Sequence, residues 1–131
     1  MQRDIAELRL ENAKALISTA KSMIELGDYK SSANRSYYAV FNAMRAELAL
    51  LKIDHKKHSS VISDFRLNFI KIGIFSPEMS DIITQLFDVR NQSDYNDFYV
   101  ISKEEVIKQA NNAEMFVSTI AEHLSQVVED N

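Results

Sequence analysis

The segment Ile82–Tyr95, with the sequence IITQLFDVRNQSDY, decides the fold class and ends in unusual chemistry. Its aliphatic side chains recur at spacings of three and four residues, so they share one face of an amphipathic helix. Polar side chains follow at the end of this helix: Arg90, Ser93, Asp94 and Tyr95. The segment therefore predicts a buried helix whose last turns carry a polar site.

Arg90 admits two interpretations from its position alone. An arginine on or beside a buried stripe is unfavourable unless it is paired. Asp94 lies four residues further along, so the two side chains are expected to lie close together on one helical face. The pair either closes the bundle as a structural ion pair or directs the guanidinium toward a phosphate-bearing partner, since arginine suits bidentate phosphate contacts.

Composition bounds the fold class. The chain has 131 residues, with 46% hydrophobic and 26% charged residues, which predicts a single domain over residues 1–131. It contains two glycines and one proline, whereas folds rich in turns use many of both. We therefore predict an all-α protein.

Composition and charge argue against several functional classes. The absence of cysteine excludes disulfides, thiolate metal sites and cysteine nucleophiles. No apolar run approaches the roughly 20 residues of a membrane span, and the first residues carry no apolar signal core, so we expect a cytoplasmic protein without a membrane partner. The net charge of −4 argues against nucleic-acid binding by bulk charge but allows a local basic groove.

Helical periodicity and capping signals predict an up-and-down bundle of about five helices, four main helices plus one. The first helix is expected over about 3–26 and the second over about 29–51, joined by a tight turn at Gly27 and Asp28. One apolar stripe of the first helix reads Ile5, Leu8, Asn12, Ala15 or Leu16, Thr19, Met23 and Leu26.

Start and stop signals place the remaining helices. The third is expected to begin at His58, Ser59 or Ser60 and to end at Gly73. Ser76-Pro77-Glu78 is typical of the start of the fourth, and a capping box at 102–105 opens the fifth. The intervening loop 96–100 carries three apolar residues, which we expect to fold back on the bundle.

The second helix carries a polar stripe beside its apolar one. Arg35, Tyr38, Asn42 and Arg45 lie at offsets of three, seven and ten residues, within about 80° of arc at 100° per residue. They form either a solvated face with a tyrosine whose tip reaches water, or a binding face turned toward Arg90–Tyr95 or a partner subunit.

A metal site is not expected. His55 and His58 lie three residues apart, but only Asp54 and Asp64 are near them in sequence, and metal sites usually need three or four ligands. A helix-capping or solvent-facing role is the favoured interpretation of His58. We predict neither a metal nor a cofactor.

Three motifs resemble one protein family. The stretch at 34–45, NRSYYAVFNAMR, resembles the second-helix signature of HEPN domains (higher eukaryotes and prokaryotes nucleotide-binding). The stretches at 57–62, KHSSVI, and 90–95, RNQSDY, resemble the third-helix opening and fourth-helix motif of a bacterial and archaeal branch. The resemblance covers about residues 8–124.

This resemblance implies a fold and several functions. It implies a bundle of four main helices plus extra turns, usually a homodimer. Many members are metal-independent ribonucleases or toxins, and others are partners of minimal nucleotidyltransferases. The ribonuclease motif is an arginine followed, after four to six residues, by a histidine. Arg90 matches the arginine, but Tyr95, Asn96 and Asp97 stand where the histidine is expected.

Three functional hypotheses follow. The first is a HEPN module that binds a nucleotide or RNA, or that partners a nucleotidyltransferase in a toxin–antitoxin-like pair, with Arg35, Tyr38, Asn42, Arg45, Arg90 and Asp94 as binding residues. The second is a metal-independent ribonuclease with Arg90 at a dimer cleft and proton transfer by Tyr95 or His58. The third is a purely structural dimerisation module.

Overall fold

The computed structural model describes residues 1–129, with side chains through residue 127. Its helices are α1 (Gln2–Glu25), α2 (Tyr29–Leu50), α3 (His58–Phe65), α4 (Pro77–Tyr95) and α5 (Lys103–Glu129). A π-helical turn, Arg66–Ile70, continues α3. No strand occurs among the described residues, so the predicted all-α bundle of about five helices is confirmed.

The predicted turn between the first two helices is confirmed. Gly27 has φ +79°, a left-handed conformation that glycine adopts at little cost. Asp28 caps α2, since its Oδ1 accepts a hydrogen bond from the backbone N–H of Ser31 at 3.2 Å. The turn makes α1 and α2 an antiparallel hairpin.

Helix α2 is the centre of the bundle, because it packs against α1, α3, α4 and α5. The apolar stripe predicted for this helix is buried from Ala33 to Leu48, with Tyr37 and Met44 at 0% exposure, but its last member, Leu51, is 48% exposed. A polar stripe lies along the same helix, and every member of it is half-buried. Side chains of this polar stripe are therefore held against neighbouring elements and do not extend freely into water.

The predicted buried face of α1 is wrong. Ile5 and Leu8 are 37% and 62% exposed, and Leu26 is 76% exposed. The buried face is the neighbouring one, which consists of Ala6, Leu10, Ala13, Ile17 and Ala20. The small alanines allow the backbones of α1 and α2 to approach closely, and Leu10 and Ile17 are buried beside them, whereas Ile5 and Leu8 lie on the outer face.

Two other expectations are corrected. The loop after α4 does not fold back as a unit, because Phe98 and Val100 are 93% and 86% exposed and only Tyr99 packs inward. The Ser76 side chain makes no capping hydrogen bond at the start of α4. By contrast, Ser102 caps α5 through its Oγ, which accepts from the N–H of Glu105 at 3.0 Å.

No helix in the described part of the chain is both long and apolar enough to span a bilayer.

Candidate functional site

The site is centred on Arg90, in the last turns of α4. Its side chain is only 12% exposed. The guanidinium carbon lies 5.3 Å, 5.4 Å and 5.5 Å from the ring centroids of Tyr37, Tyr38 and Tyr95. These distances are typical of cation–π contacts, so three aromatic rings hold the positive charge in place. We call this the Arg90 pocket, defined by Arg90, Tyr37, Tyr38, His58 and Tyr95.

Polar contacts fix the direction of the guanidinium. Nη2 donates to the hydroxyl of Tyr38 at 2.9 Å, and Nη1 donates to Oδ1 of Asn91 at 3.0 Å. Nε lies 3.1 Å from Oδ2 of Asp94, an ion pair whose geometry is too oblique for a hydrogen bond. The expected proximity of Arg90 and Asp94 is confirmed, and the side chain is anchored on two helices.

Asp94 is itself held from α2. Its Oδ2 accepts a hydrogen bond from Nδ2 of Asn34 at 3.1 Å. The Oδ1 of Asn34 in turn accepts from Nη1 of Arg35 at 3.0 Å. Arg35 therefore joins the site only through Asn34, and the carboxylate is shared between an amide and the Arg90 guanidinium.

The polar stripe of α2 divides between two places. Tyr38 contacts Arg90, whereas Asn42 donates to the backbone carbonyl of Tyr38 on its own helix at 2.8 Å. Arg45 donates to Asp54 at 2.8 Å, outside the Arg90 pocket. Of the predicted binding residues, the structure thus brings together Tyr38, Arg90 and Asp94.

His58 lies in the Arg90 pocket, so its expected capping or solvent-facing role is wrong. It begins α3, and its ring lies 4.2 Å from the Phe41 ring centroid. Its Nδ1 is 2.9 Å from the hydroxyl of Tyr37. The sequence signal for this contact was the tyrosine itself, because a Tyr on a fully buried stripe needs a partner for its hydroxyl.

The Tyr37 hydroxyl determines the tautomer of His58. Tyr37 is 0% exposed, and Nδ1 of His58 is the hydrogen-bond partner of its hydroxyl. The phenol proton would be buried without a partner if Nδ1 donated, so the phenol donates and Nδ1 accepts. A neutral His58 ring therefore carries its proton on Nε2, on the side away from Tyr37.

The surroundings keep both groups neutral. Burial, and then the positive charges of Arg90 and Arg45, lower the pKa of His58 below its usual value of 6.5. Burial raises the pKa of Tyr37 to about 12. The pocket therefore presents one fixed cation, Arg90, beside an uncharged imidazole N–H donor.

Tyr95 forms the outer wall of the pocket. It is 74% exposed although its ring lies against the Arg90 guanidinium. Its position allows contact with a ligand that binds at Arg90.

His55 lies apart from the pocket and pairs with Asp64, its Nε2 being 2.5 Å from Oδ2. Within the described residues, no group of three or more histidine, aspartate or glutamate side chains is arranged to hold a metal ion.

Fold and site together define an all-α bundle with a half-buried arginine held among aromatic rings. The chain belongs to the HEPN family, since the HEPN domain model matches residues 6–124. This match confirms the resemblance found in the sequence.

Curated relatives cover most of the chain. A UPF0332 protein of Archaeoglobus fulgidus is 33% identical over 114 residues, which is 87% of this chain and 90% of the relative. A protein of Methanocaldococcus jannaschii provisionally named a toxin is 31% identical over 126 residues, 96% of this chain and 93% of the relative. A second protein of that organism with the same provisional name is 26% identical over 123 residues, 94% of this chain and 83% of the relative.

A solved structure has the same fold. The crystal structure of TT1696 from Thermus thermophilus superposes with a TM-score of 0.76 at 17% identity, covering 93% of this chain and 98% of that one.

Proposed function

We propose that this HEPN protein is a toxin-type module that binds a phosphate of RNA at Arg90. The observation that carries the proposal is the guanidinium itself, which is 12% exposed and held by three tyrosine rings. Asp94 lies against the Nε edge, where it holds the side chain in place. A ligand phosphate would accept from the terminal nitrogens and displace weaker neutral contacts, such as those to Asn91 and Tyr38.

His58 supports the same proposal. Its Nε2–H is a neutral donor next to a fixed cation, which suits a phosphate oxygen without adding a second buried charge. The provisional toxin names of two relatives are consistent with an RNA-directed role. The acidic net charge does not oppose it, because a local field in a low-dielectric pocket governs the encounter with a phosphate.

A metal-independent ribonuclease is the second candidate, favoured by the placement of Tyr95 and His58 around Arg90. General base catalysis needs a group that can take the proton of the ribose 2′-hydroxyl at neutral pH. In the neutral His58 ring, Nδ1 is occupied by the Tyr37 proton and Nε2 already carries hydrogen. The chemistry of the pocket therefore supports RNA binding better than RNA cleavage.

The experiment compares two arginine variants in binding to a fluorescein-labelled single-stranded RNA. Arg90→Ala is expected to weaken binding at least about tenfold, as for loss of a charge-assisted contact. Arg9→Ala is the matched control, because Arg9 is also an ion-paired arginine, 15% exposed, and lies on α1. Equal affinities of the two variants would contradict the proposal, provided that both remain helical by circular dichroism.

The same samples test the ribonuclease candidate. RNA recovered after incubation with wild-type protein in EDTA is expected to remain intact on a denaturing gel. Cleavage that is lost in Tyr95→Phe, with helicity unchanged, would instead establish the ribonuclease and assign Tyr95 to the chemistry.

We also propose that the protein is a homodimer. The supporting observation is the outer face of α1, where Ile5 and Leu8 are 37% and 62% exposed although they follow helical spacing. Light scattering is expected to give twice the chain mass of 15.0 kDa. A monomer at micromolar concentration in wild type would contradict the proposal, and Leu8→Glu is expected to produce that monomer.

The partner in the cell is proposed to be a minimal nucleotidyltransferase, the two forming a toxin–antitoxin-like pair in the cytoplasm. The provisional toxin names of two relatives are consistent with such a pair. Co-expression with a nucleotidyltransferase encoded beside it is expected to yield a stable complex and to relieve growth inhibition. Separate elution of the two proteins would contradict this pairing.

A further inference from the structure

A second concave surface adjoins the Arg90 pocket. It is a groove of about 470 Å³ between α3, the π-helical turn and α4. Its surface is mostly apolar with several polar groups; the lining residues are Ser59, Ile62, Ser63, Arg66, Ile83, Thr84 and Phe87. We call this surface the α3–α4 groove.

Phe87 connects the groove to the Arg90 pocket. It lies three residues before Arg90 on α4, less than one helical turn, or about 5 Å along the axis. Its ring is 5.8 Å from the Tyr37 ring, which lies 5.3 Å from the Arg90 guanidinium carbon. On the other wall, Ser59 directly follows His58. The groove and the Arg90 pocket are therefore neighbours along α4 and at the start of α3.

Arg66 gives the groove a directed hydrogen-bond donor. Its Nη2 donates to the backbone carbonyl of Ser80 at 3.0 Å and to the hydroxyl of Thr84 at 2.6 Å, which fixes the guanidinium against α4. Its Nε is buried and has no hydrogen-bond partner. Nη1 donates to none of the described side chains or carbonyls, so Arg66 retains donors for a ligand.

The backbone beneath Arg66 is unusual as well. Arg66 begins the π-helical turn Arg66–Ile70, and such turns are frequent at functional sites. The wider π turn rotates the side chains after Phe65 away from the positions they would have if α3 continued as a regular α-helix. The π turn thus contributes to the position from which Arg66 reaches α4.

We infer that the α3–α4 groove binds the nucleoside part of the nucleotide whose phosphate Arg90 holds. The mostly apolar surface suits the faces of a base, and the few polar groups among the lining residues suit its edge and the ribose hydroxyls. Arg66 provides the donor for a base carbonyl or ring nitrogen, and Ser59, Ser63 and Thr84 provide hydroxyls. The inference rests on the proposed phosphate site, and it makes the ligand a nucleotide unit of RNA and not a free phosphate.

The test is an NMR titration of the full chain with adenosine 5′-monophosphate, adenosine and inorganic phosphate. Adenosine and its monophosphate are expected to shift the amide signals of Ser63, Thr84 and Phe87. Inorganic phosphate is expected to shift only signals around Arg90. If neither adenosine nor its monophosphate shifts the groove signals, the inference is overturned.

A substitution sharpens the test. Ser63→Trp fills the groove from an exposed position and is expected to weaken binding of the monophosphate at least about tenfold while leaving inorganic phosphate binding unchanged. Ser118→Trp, on the exposed face of α5, is the control for adding an indole. Unchanged monophosphate binding in Ser63→Trp would refute the groove.

The outcomes separate the inference from the proposed function. If Arg90→Ala loses monophosphate binding and Ser63→Trp keeps it, the groove is refuted as the nucleoside site and the phosphate site stands. Adenosine binding in the groove without any phosphate binding at Arg90 supports the groove and refutes the phosphate site.

Discussion

Two half-buried histidines occupy contrasting places in this bundle. His58 pairs with the Tyr37 phenol and faces the positive charges of Arg90 and Arg45. His123 lies on α5, where its Nδ1 is 2.6 Å from Oε2 of Glu47, a side chain that is 1% exposed. Burial is the first cause that lowers the pKa of both histidines. Both imidazole rings are therefore held neutral, but one lies beside fixed positive charges and the other beside a buried carboxyl group.

Two phenylalanine rings pack against His123. Its ring lies edge-on to Phe75 at 5.1 Å and to Phe69 at 6.3 Å. Burial raises the pKa of Glu47 to about 8, so at neutral pH the protonated carboxyl donates to Nδ1 of the neutral ring. The pair carries no net charge, and among the described residues no lysine or arginine forms an ion pair with Glu47, which makes it a structural contact. The comparison shows that a neighbouring fixed cation distinguishes a candidate anion site from a buried polar pair.

Replacing each histidine should separate binding from stability, and this is the largest expected contrast. His58→Ala is expected to weaken RNA binding about tenfold, equivalent to one hydrogen bond of about 1.4 kcal/mol, and also to lower the free energy of unfolding, because the buried Tyr37 hydroxyl loses its partner. His123→Ala is expected to leave binding unchanged but to lower the free energy of unfolding by about 1–3 kcal/mol, because Glu47 loses its partner. Anisotropy titration and urea unfolding measure the two effects. Loss of RNA binding in His123→Ala with its fold intact would reverse the assignment.

The Glu47 carboxyl should make stability depend on pH. Its folded pKa of about 8 lies above the ordinary 4.5, so its contribution is complete at low pH and is lost as pH rises toward and through 8. Glu47→Gln does not titrate and retains a donor toward His123. Between about pH 6.5 and about pH 9, its free energy of unfolding is expected to rise by more than about 1 kcal/mol relative to that of wild type, since one pKa unit is about 1.4 kcal/mol. Parallel urea midpoints of the two proteins across this range would contradict the buried acid.

Tyr37→Phe tests whether the phenol selects the tautomer of His58. The ring and its packing remain, but Nδ1 loses its donor, so the Nε2–H form is no longer enforced. We expect RNA affinity to fall by about two- to fivefold, less than the loss of a whole hydrogen bond. Tyr29→Phe, at the start of α2, controls for removing a hydroxyl elsewhere. Equal affinity in both variants would show that the tautomer does not matter for binding.

Asn34→Ala should have the smallest effect. It removes the hydrogen bond to Asp94 but leaves the ion pair between Asp94 and Arg90. Contacts of this exposed kind contribute about 0.5 kcal/mol, so RNA affinity is expected to change less than about threefold. A loss as large as that of Arg90→Ala would show that Asn34 touches the ligand directly.

The sequence predicted those parts of the site that depend on spacing along one helix. Arg90 and Asp94 are four residues apart on α4, and helical geometry alone brings them together. The position of Tyr38 on the polar stripe of α2 allowed either a solvated face or a face turned toward Arg90. The structure shows the second for Tyr38, whose hydroxyl accepts a hydrogen bond from Arg90. The turn at Gly27 followed from local backbone chemistry.

Features that depend on packing between helices were not predictable in this way. On α1, two interleaved stripes both have helical spacing, and the choice between them rests on how closely alanines let α1 approach α2. His58 reaches Tyr37 across 21 positions of sequence, so no local pattern identified the contact. The exposed Phe98 in the loop after α4 shows that apolar character alone does not imply burial.

We propose that the Arg90 pocket, and not the Glu47–His123 pair, receives an RNA phosphate beside a neutral histidine. Long-range ¹H–¹⁵N NMR of the histidine rings at neutral pH, recorded before and after addition of a single-stranded RNA, tests this assignment. We expect an Nε2-protonated, neutral His58 whose ring signals shift on RNA addition, while those of His123 stay fixed. A doubly protonated His58 in the free protein, or RNA saturation that leaves its signals in place, would show that the assignment is wrong.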